Sequence, residues 1–335
     1  MIHDFFLTEG FFYAVRWLYG VLGNSYFLTI LLVTLVLRLI QIYPDIQTRK
    51  TQRKQAELQP QIDQLKEKYA NDPKKLNEEQ SKLMKANGIG CLSGCLPMLL
   101  TLPLFFCFLA AFRFWGYEQT LKLTYETIVN EEQAQETFDS FRFGWIQNIW
   151  QPDSGFSPVI TPSDKDVFSG KIKIHNLVLF HKGYTDLRGN EVSGEQIWNV
   201  FKENGLAEGE FQSADMKLLS TKESKDKYDE IMGKYDTGRN NGWFVLPILA
   251  AGFQFLAAWI SQQQTKKTNP SAAAQTQSMN FMIYLFPIMS LWFCLTSTSA
   301  FALYWVLSSV LQIGTSFIIN RIIDKKTVPA EIVQK

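Results

Sequence analysis

Arg38 stands inside an 18-residue apolar run, Tyr26–Tyr43 (YFLTILLVTLVLRLIQIY), where Gln41 is the one other strongly polar residue. A helix of that length just crosses a bilayer core of about 30 Å. A charge within such a run is costly and marks a functional site by default. The other long apolar runs of the chain contain no Asp or Glu. Within the crossings, therefore, the sequence offers Arg38 no carboxylate. Two uses remain. The side chain lies six residues from Pro44, roughly 9 Å along a helix, so it can snorkel to the inner headgroups. Alternatively, it is the fixed positive charge of a water-filled cavity and awaits an acidic group from elsewhere.

Other polar residues favour the cavity. Trp305, Ser308, Ser309, Gln312, Thr315 and Ser316 recur in the last apolar run at spacings that put most of them on one helix face. Gln254 is a mid-run amide in an earlier one. Singly, such groups serve as glue between membrane helices. Together with Arg38 they predict a hydrophilic concavity whose lining includes Arg38, Gln254, Trp305, Ser308 and Gln312. The chain has no phosphate-binding glycine loop, HExxH, GxSxG or paired-cysteine metal motif. No catalytic residue, metal site or small-molecule cofactor is expected. Cys91, Cys95, Cys107 and Cys294 all fall in or beside apolar runs and read as small packing residues. His175 and His181 have no convincing ligand set around them and read as ordinary surface or turn residues.

The elements that would position this lining follow from hydropathy. The predicted fold is an all-α polytopic membrane protein with five transmembrane helices, a cytoplasmic helical hairpin and an inserted extracellular mixed α/β segment. The crossings are expected at 23–44, 91–113, 243–262, 280–297 and 298–320. The last two are separated by the polar Ser297-Thr298-Ser299. Basic residues set the orientation. Ten lie between Arg49 and Lys85, Lys266 and Lys267 sit in the loop 263–279, and the tail 321–335 is basic. All three segments are therefore expected in the cytoplasm, with the N-terminus outside. The segment 114–242 carries 21 acidic and 14 basic residues, so the net +1 of the chain hides opposite charges on opposite sides. Residues 1–22 lack the basic start of a cleavable signal and read as an amphipathic helix on the outer surface.

The hairpin is expected over 45–90. Leu58, Ile62, Leu65 and Tyr69 form a heptad-like seam, Asn71-Asp72-Pro73 is a turn, and Leu76 and Leu83 continue on a second helix. In the outer segment, Phe141–Trp150 is expected at the membrane interface. Lys171–Phe180 reads as a strand, and Asp215–Tyr235 as a charged helix.

The ordered set of segments resembles the YidC/Oxa/Alb membrane protein insertases. It comprises LVLRLIQIYPDIQTRKTQ, LQPQIDQLKEKY, GCLSGCLPMLLTLPLFF, FGWIQNIWQPD, VLPILAAGFQFLAAWISQQQ and FPIMSLWFCLTSTSAFALYWVLSSVLQI. The resemblance implies a five-helix core that folds client helices into a bacterial plasma membrane without nucleotide chemistry. Arg38 matches the family's groove arginine and Trp305 the aromatic of its last helix, while Gln254 falls where the third helix can line the groove. The implied partners are nascent membrane proteins, the ribosome, the Sec translocon and membrane lipids. Two departures stand out: about 85 residues, within 154–242, are inserted where the family's link is short, and the start resembles a form without a lipoprotein signal, an extra N-terminal anchor or a large external domain. A small-solute transporter or channel, and a receptor sensing through the inserted segment, are the rival classes.

Overall fold

The computed structural model describes residues 6–89, 96–159, 177–268 and 277–326, and these are mostly helical. Among them, three helices are long and apolar enough to cross a membrane: Tyr26–Gln55, Val245–Gln264 and Ser299–Ile319. A shorter apolar helix covers Tyr284–Thr296. The chain forms two compact units.

The first unit comprises Met1–Ile30, Phe105–Ile248 and Trp292–Leu303. Helix α1 (Phe6–Val21) turns Phe12 and Val15 inward and leaves Trp17 exposed, as its apolar spacing predicts. Most of α4 (Leu96–Val129) belongs here, followed by α5 (Glu131–Ser140). Tyr26, Trp115, Phe141 and Trp150 make an aromatic core with ring centroids 4.8–6.4 Å apart. The Tyr26 hydroxyl donates to Gln119 Oε1 at 2.9 Å, which keeps this buried polar atom satisfied. Within the segment Phe141–Trp150, the side chains of Phe141, Ile146, Ile149 and Trp150 are core residues of this unit.

Beyond it, α6 (Val178–Lys182), β1 (Tyr184–Thr185), β2 (Glu191–Val192) and α7 (Gly194–Glu203) pack around Phe180, Trp198 and Phe201. Tyr184 pairs with Val192 in the antiparallel β1–β2 ladder. Ser193 and Gln196 close a capping box on α7. A second small ladder joins β3 (Ala207–Glu208) to β4 (Lys217–Leu218), and α8 (Lys222–Met232) follows. Two predictions are corrected here. The described end of the expected strand at 171–180 enters a helix, with Leu177, Val178, Leu179 and Phe180 all buried. A run buried on successive positions has no solvent face, so its alternation was a weak guide. The expected helix at 215–235 contains the short strand β4 and becomes helical only from Lys222. His175, Cys91 and Cys95 lie outside the described residues, while Cys107 and Cys294 are buried free thiols.

A polar neck closes this unit. Gly242 N donates to the Ser154 carbonyl at 3.0 Å and Asn241 N to that of Phe156 at 2.7 Å. The fully buried Asn241 also bonds the backbone of Asn148 and Pro152. Asp153, likewise fully buried, accepts from the backbone N–H groups of Trp243, Phe244 and Leu246 at 2.7–3.0 Å, and from Trp145 Nε1 at 3.3 Å. Its carboxylate therefore sits at the N-terminus of α9 (Val245–Thr268), where orphan donors and the helix dipole both favour an anion. Gly242 has no room for a side chain, because a Cβ there would collide with the Asp153 carboxylate.

The second unit comprises Leu31–Leu104, Leu249–Leu291 and Tyr304–Lys335. Helix α2 (Tyr26–Lys68) runs without interruption through Pro44 and Pro60, so the first crossing and the first hairpin arm are one helix. After a turn, Asp72 caps α3 (Pro73–Ala86) by accepting from Lys75 N at 3.1 Å, with Pro73 at the helix start. Leu58, Ile62 and Ile89 are buried together against Leu83 and Met84, a narrow seam that takes in Leu58, Ile62 and Leu83 of the heptad positions. The remaining helices are the rest of α9, α10 (Gln277–Thr296) and α11 (Ser299–Lys326). Their surface is inverted relative to a soluble protein. Leu39, Ile40, Tyr284 and Ile288 are at least 60% exposed, whereas Thr34, Arg38, Ser290 and Ser309 are buried. Apolar outside and polar inside is the arrangement that lipid demands.

Candidate functional site: a polar seam around Arg38

The turn-by-turn geometry of α2 builds the site. Arg38, Gln41 and Asp45 are three and seven residues apart and so share one face. Arg38 is only 6% exposed. Its Nη1 donates to Gln41 Oε1 at 3.0 Å, and its Nη2 to Asp45 Oδ2 at 2.8 Å. From α11, Thr315 Oγ1 accepts from both Nη2 at 2.9 Å and Nε at 3.3 Å. The planar guanidinium is thus held along its edges by three side chains, a geometry that lysine cannot reproduce. Asp45 corrects the expectation that Arg38 lacks a partner in this chain. The apolar run ends at Tyr43, but α2 continues through Pro44 and brings the next carboxylate round to the same face.

One further turn along α2, Arg49 donates to Ser316 Oγ at 2.8 Å and to Gln264 Oε1 at 3.4 Å. Gln254 on α9 accepts from Ser309 Oγ on α11 at 3.2 Å. Ser309 and Thr315 are six residues apart, about 9 Å along the helix axis. Three apolar helices therefore share a polar seam that ends in two arginines. Of the residues predicted to line a groove, Arg38 and Gln254 make contacts across this seam. Trp305, Ser308 and Gln312 are half-buried on α11. Gln312 meets Thr315 through its carbonyl, at 3.2 Å, and Ser308 is hydrogen-bonded to Tyr304. Thr315 belongs to the polar stripe read from the sequence, whereas Asp45 and Arg49 are the members that sequence reasoning missed. Continuing the i, i+3, i+7, i+11 progression from Arg38 would have found the two on α2.

The first unit holds a separate cavity of about 660 Å³, lined in part by Arg16, Tyr19, Trp115, Glu118, Lys122 and Tyr184. Glu118 lies past the apolar part of α4. It accepts from Arg16 Nη1 at 3.0 and 3.2 Å and from Leu179 N at 2.6 Å, and Arg16 also donates to the Gly183 carbonyl. Burial nevertheless dominates and pushes the Glu118 carboxyl up to about 7. Burial also lowers Lys122, whose ammonium is 4.0 Å from Glu126 and 4.7 Å from the centre of the Tyr184 ring. A carboxyl with a raised folded-state value binds its proton more tightly in the native state. Stability conferred by that proton is full below about 4.5 and is lost as pH rises towards about 7. Thermal unfolding across this window should show that decline, and Glu118→Gln should flatten it. Among the described residues, no group of three His, Cys, Asp or Glu is arranged to hold a metal.

Apolar helices of membrane-spanning length around a buried, positively charged polar seam define a helical multi-pass membrane protein. The chain belongs to the 60Kd inner membrane protein family, whose model matches residues 17–182 and 196–326. The resemblance to the YidC/Oxa/Alb proteins is thereby borne out, and the location is an inner membrane. Among relatives, the membrane protein insertase YidC of Clostridium perfringens (strain 13 / Type A) is 34% identical over 139 residues, 42% of this chain and 50% of that protein. The protein of the same name from Rickettsia prowazekii (strain Madrid E) is 33% identical over 149 residues, 44% of this chain and 23% of that protein. That of Rickettsia canadensis (strain McKiel) is 31% identical over 166 residues, 48% and 26% respectively. The chain thus spans half or less of the length of these relatives. The family match also runs into both arms of 154–242, the segment set apart as an insertion, and leaves out 183–195 between them.

Proposed function

We propose that this protein is a membrane protein insertase and chaperone. The observation that carries the reading is the Arg38 seam, a buried guanidinium among polar side chains on helices whose outer faces are apolar. It is supported by the family and by relatives that bear the insertase name. In this reading five helices, at the positions hydropathy predicts, enclose a groove open to cytoplasm and lipid. Gln254, Trp305, Ser308 and Gln312 line it together with Arg38. Water reaching partway along the groove shortens the apolar distance that a client's polar tail must cross. Arg38 attracts acidic residues in that tail. The client's apolar helix then leaves sideways into lipid, driven by burial of its own surface. No nucleotide chemistry is involved. The basic hairpin of α2 and α3 faces the cytoplasm, with the C-terminus, and meets ribosomes, anionic lipid headgroups and the Sec translocon. The N-terminus and the segment 114–242 lie outside.

Purified protein in liposomes should insert a small single-span client without ATP. A photo-crosslinker at Gln254 or Trp305 should capture stalled nascent membrane proteins. Solute flux without client insertion would overturn the reading.

A further inference from the structure

We propose that Asp45 is a specificity-determining residue, an internal stand-in for the client's carboxylate that holds Arg38 until a sufficiently acidic tail displaces it. The inference rests on the insertase reading and adds a filter to it. The two partners of the ion pair are unequally placed. The Arg38 side chain is 7% exposed and that of Asp45 is 38% exposed, at 2.8 Å separation. Arg38 is also fixed by Thr315 and Gln41 through the rest of its guanidinium, which leaves the Asp45 edge as the one shared with a water-facing anion. Asp45 is therefore the partner free to move. It has somewhere to go, because Arg49 is four residues further along α2, on the same helix face. Arg49 is itself positioned by Ser316 and Gln264.

Displacement exchanges one carboxylate for another at Arg38, so Arg38 stays paired while a client is bound, and Asp45 is compensated by Arg49. A single acidic residue in a tail meets an occupied site, whereas several raise the local carboxylate concentration and win the exchange. A neutral tail gains nothing from Arg38 at either stage. The filter thus sets how many acidic residues a client needs, rather than whether the groove accepts clients at all. A half-exposed pair of this kind shifts such an exchange by about fivefold.

The test uses the full-length protein in liposomes and one single-span client carrying zero, one or several acidic residues in its translocated tail. Crosslinking from position 254 reports tail occupancy. Asp45→Asn should raise capture of the client with one acidic residue about fivefold, while capture of the neutral client stays unchanged. Asp45→Glu, which keeps the charge, should remain close to wild type. Equal capture by wild type and Asp45→Asn at every tail charge would overturn the inference, provided that Arg38→Ala still lowers capture of acidic tails. A proportional fall for all clients in Asp45→Asn would overturn it too, since that marks a purely structural role. Failure of the wild type to insert any client would instead refute the underlying insertase reading.

Discussion

Arg38→Ala is expected to lower insertion of clients with acidic tails by about tenfold, with neutral-tail clients little affected. At an effective dielectric near 20, a charge pair at about 4 Å is worth roughly 4 kcal/mol. Desolvation of both partners and the need to displace Asp45 remove much of it. What is left, on the order of 1–2 kcal/mol, corresponds to about tenfold in an equilibrium. The substitution should not unfold the protein, because Asp45 is half-exposed and remains hydrated without its partner. Arg38→Lys is expected to keep most of the activity, since position and charge matter more than shape for a transient attraction. It loses the forked contacts to Thr315 and Gln41, however, so some loss of thermal stability should accompany it. In vitro insertion of paired clients at matched protein levels checks both variants. Equal insertion by wild type and Arg38→Ala would remove Arg38 from the mechanism.

Asp153→Ala is expected to be among the most destabilising single changes in the chain, by about 3–5 kcal/mol. Asp153 is fully buried and accepts four hydrogen bonds, three of them from the first residues of α9 and those just before it. Removing the carboxylate leaves those donors in a closed space with no acceptor, and each such orphan costs about 1–3 kcal/mol. Asp153→Asn keeps one acceptor oxygen but introduces two N–H donors among donors, so it should lie between alanine and wild type. Gly242→Ala should destabilise by the same route, through the collision of its Cβ with Asp153. Thermal unfolding in detergent, read by tryptophan fluorescence, would rank the three. A wild-type melting temperature in Asp153→Ala would show that water replaces the carboxylate at no cost.

The two residues also show how far the sequence carries. Arg38 is legible because a charge in an apolar run violates a strong rule, and Leu58 with Ile62 is legible because heptad spacing is local. The Gln254–Ser309 contact is half legible: both amide and hydroxyl announce themselves as polar intruders, but nothing local says that they meet. Asp45 escapes because a hydropathy window stops at the first polar turn, while the helix that matters to Arg38 continues to Lys68. Asp153 escapes for a deeper reason. Its backbone partners are 90 to 93 residues away, and a carboxylate beside proline looks like any solvated turn until the chain returns to cover it. Within 114–242, the polar network around Asn148 and Asn241 is equally non-local. The strand expected over Lys171–Phe180 gives way to helix from Val178, where continuous burial hides any period.

The clasp between Ser154 and Gly242 has an evolutionary reading. Chain ends already fastened to each other make the length of the intervening chain nearly irrelevant to the rest of the fold, because closure entropy grows only slowly with length. Such a site is a natural graft point. Lengthening a surface loop within the intervening chain costs the clasp little, and an experimenter can place a reporter domain in such a loop, whereas removing the whole segment strips Leu179 from Glu118 and Gly183 from Arg16.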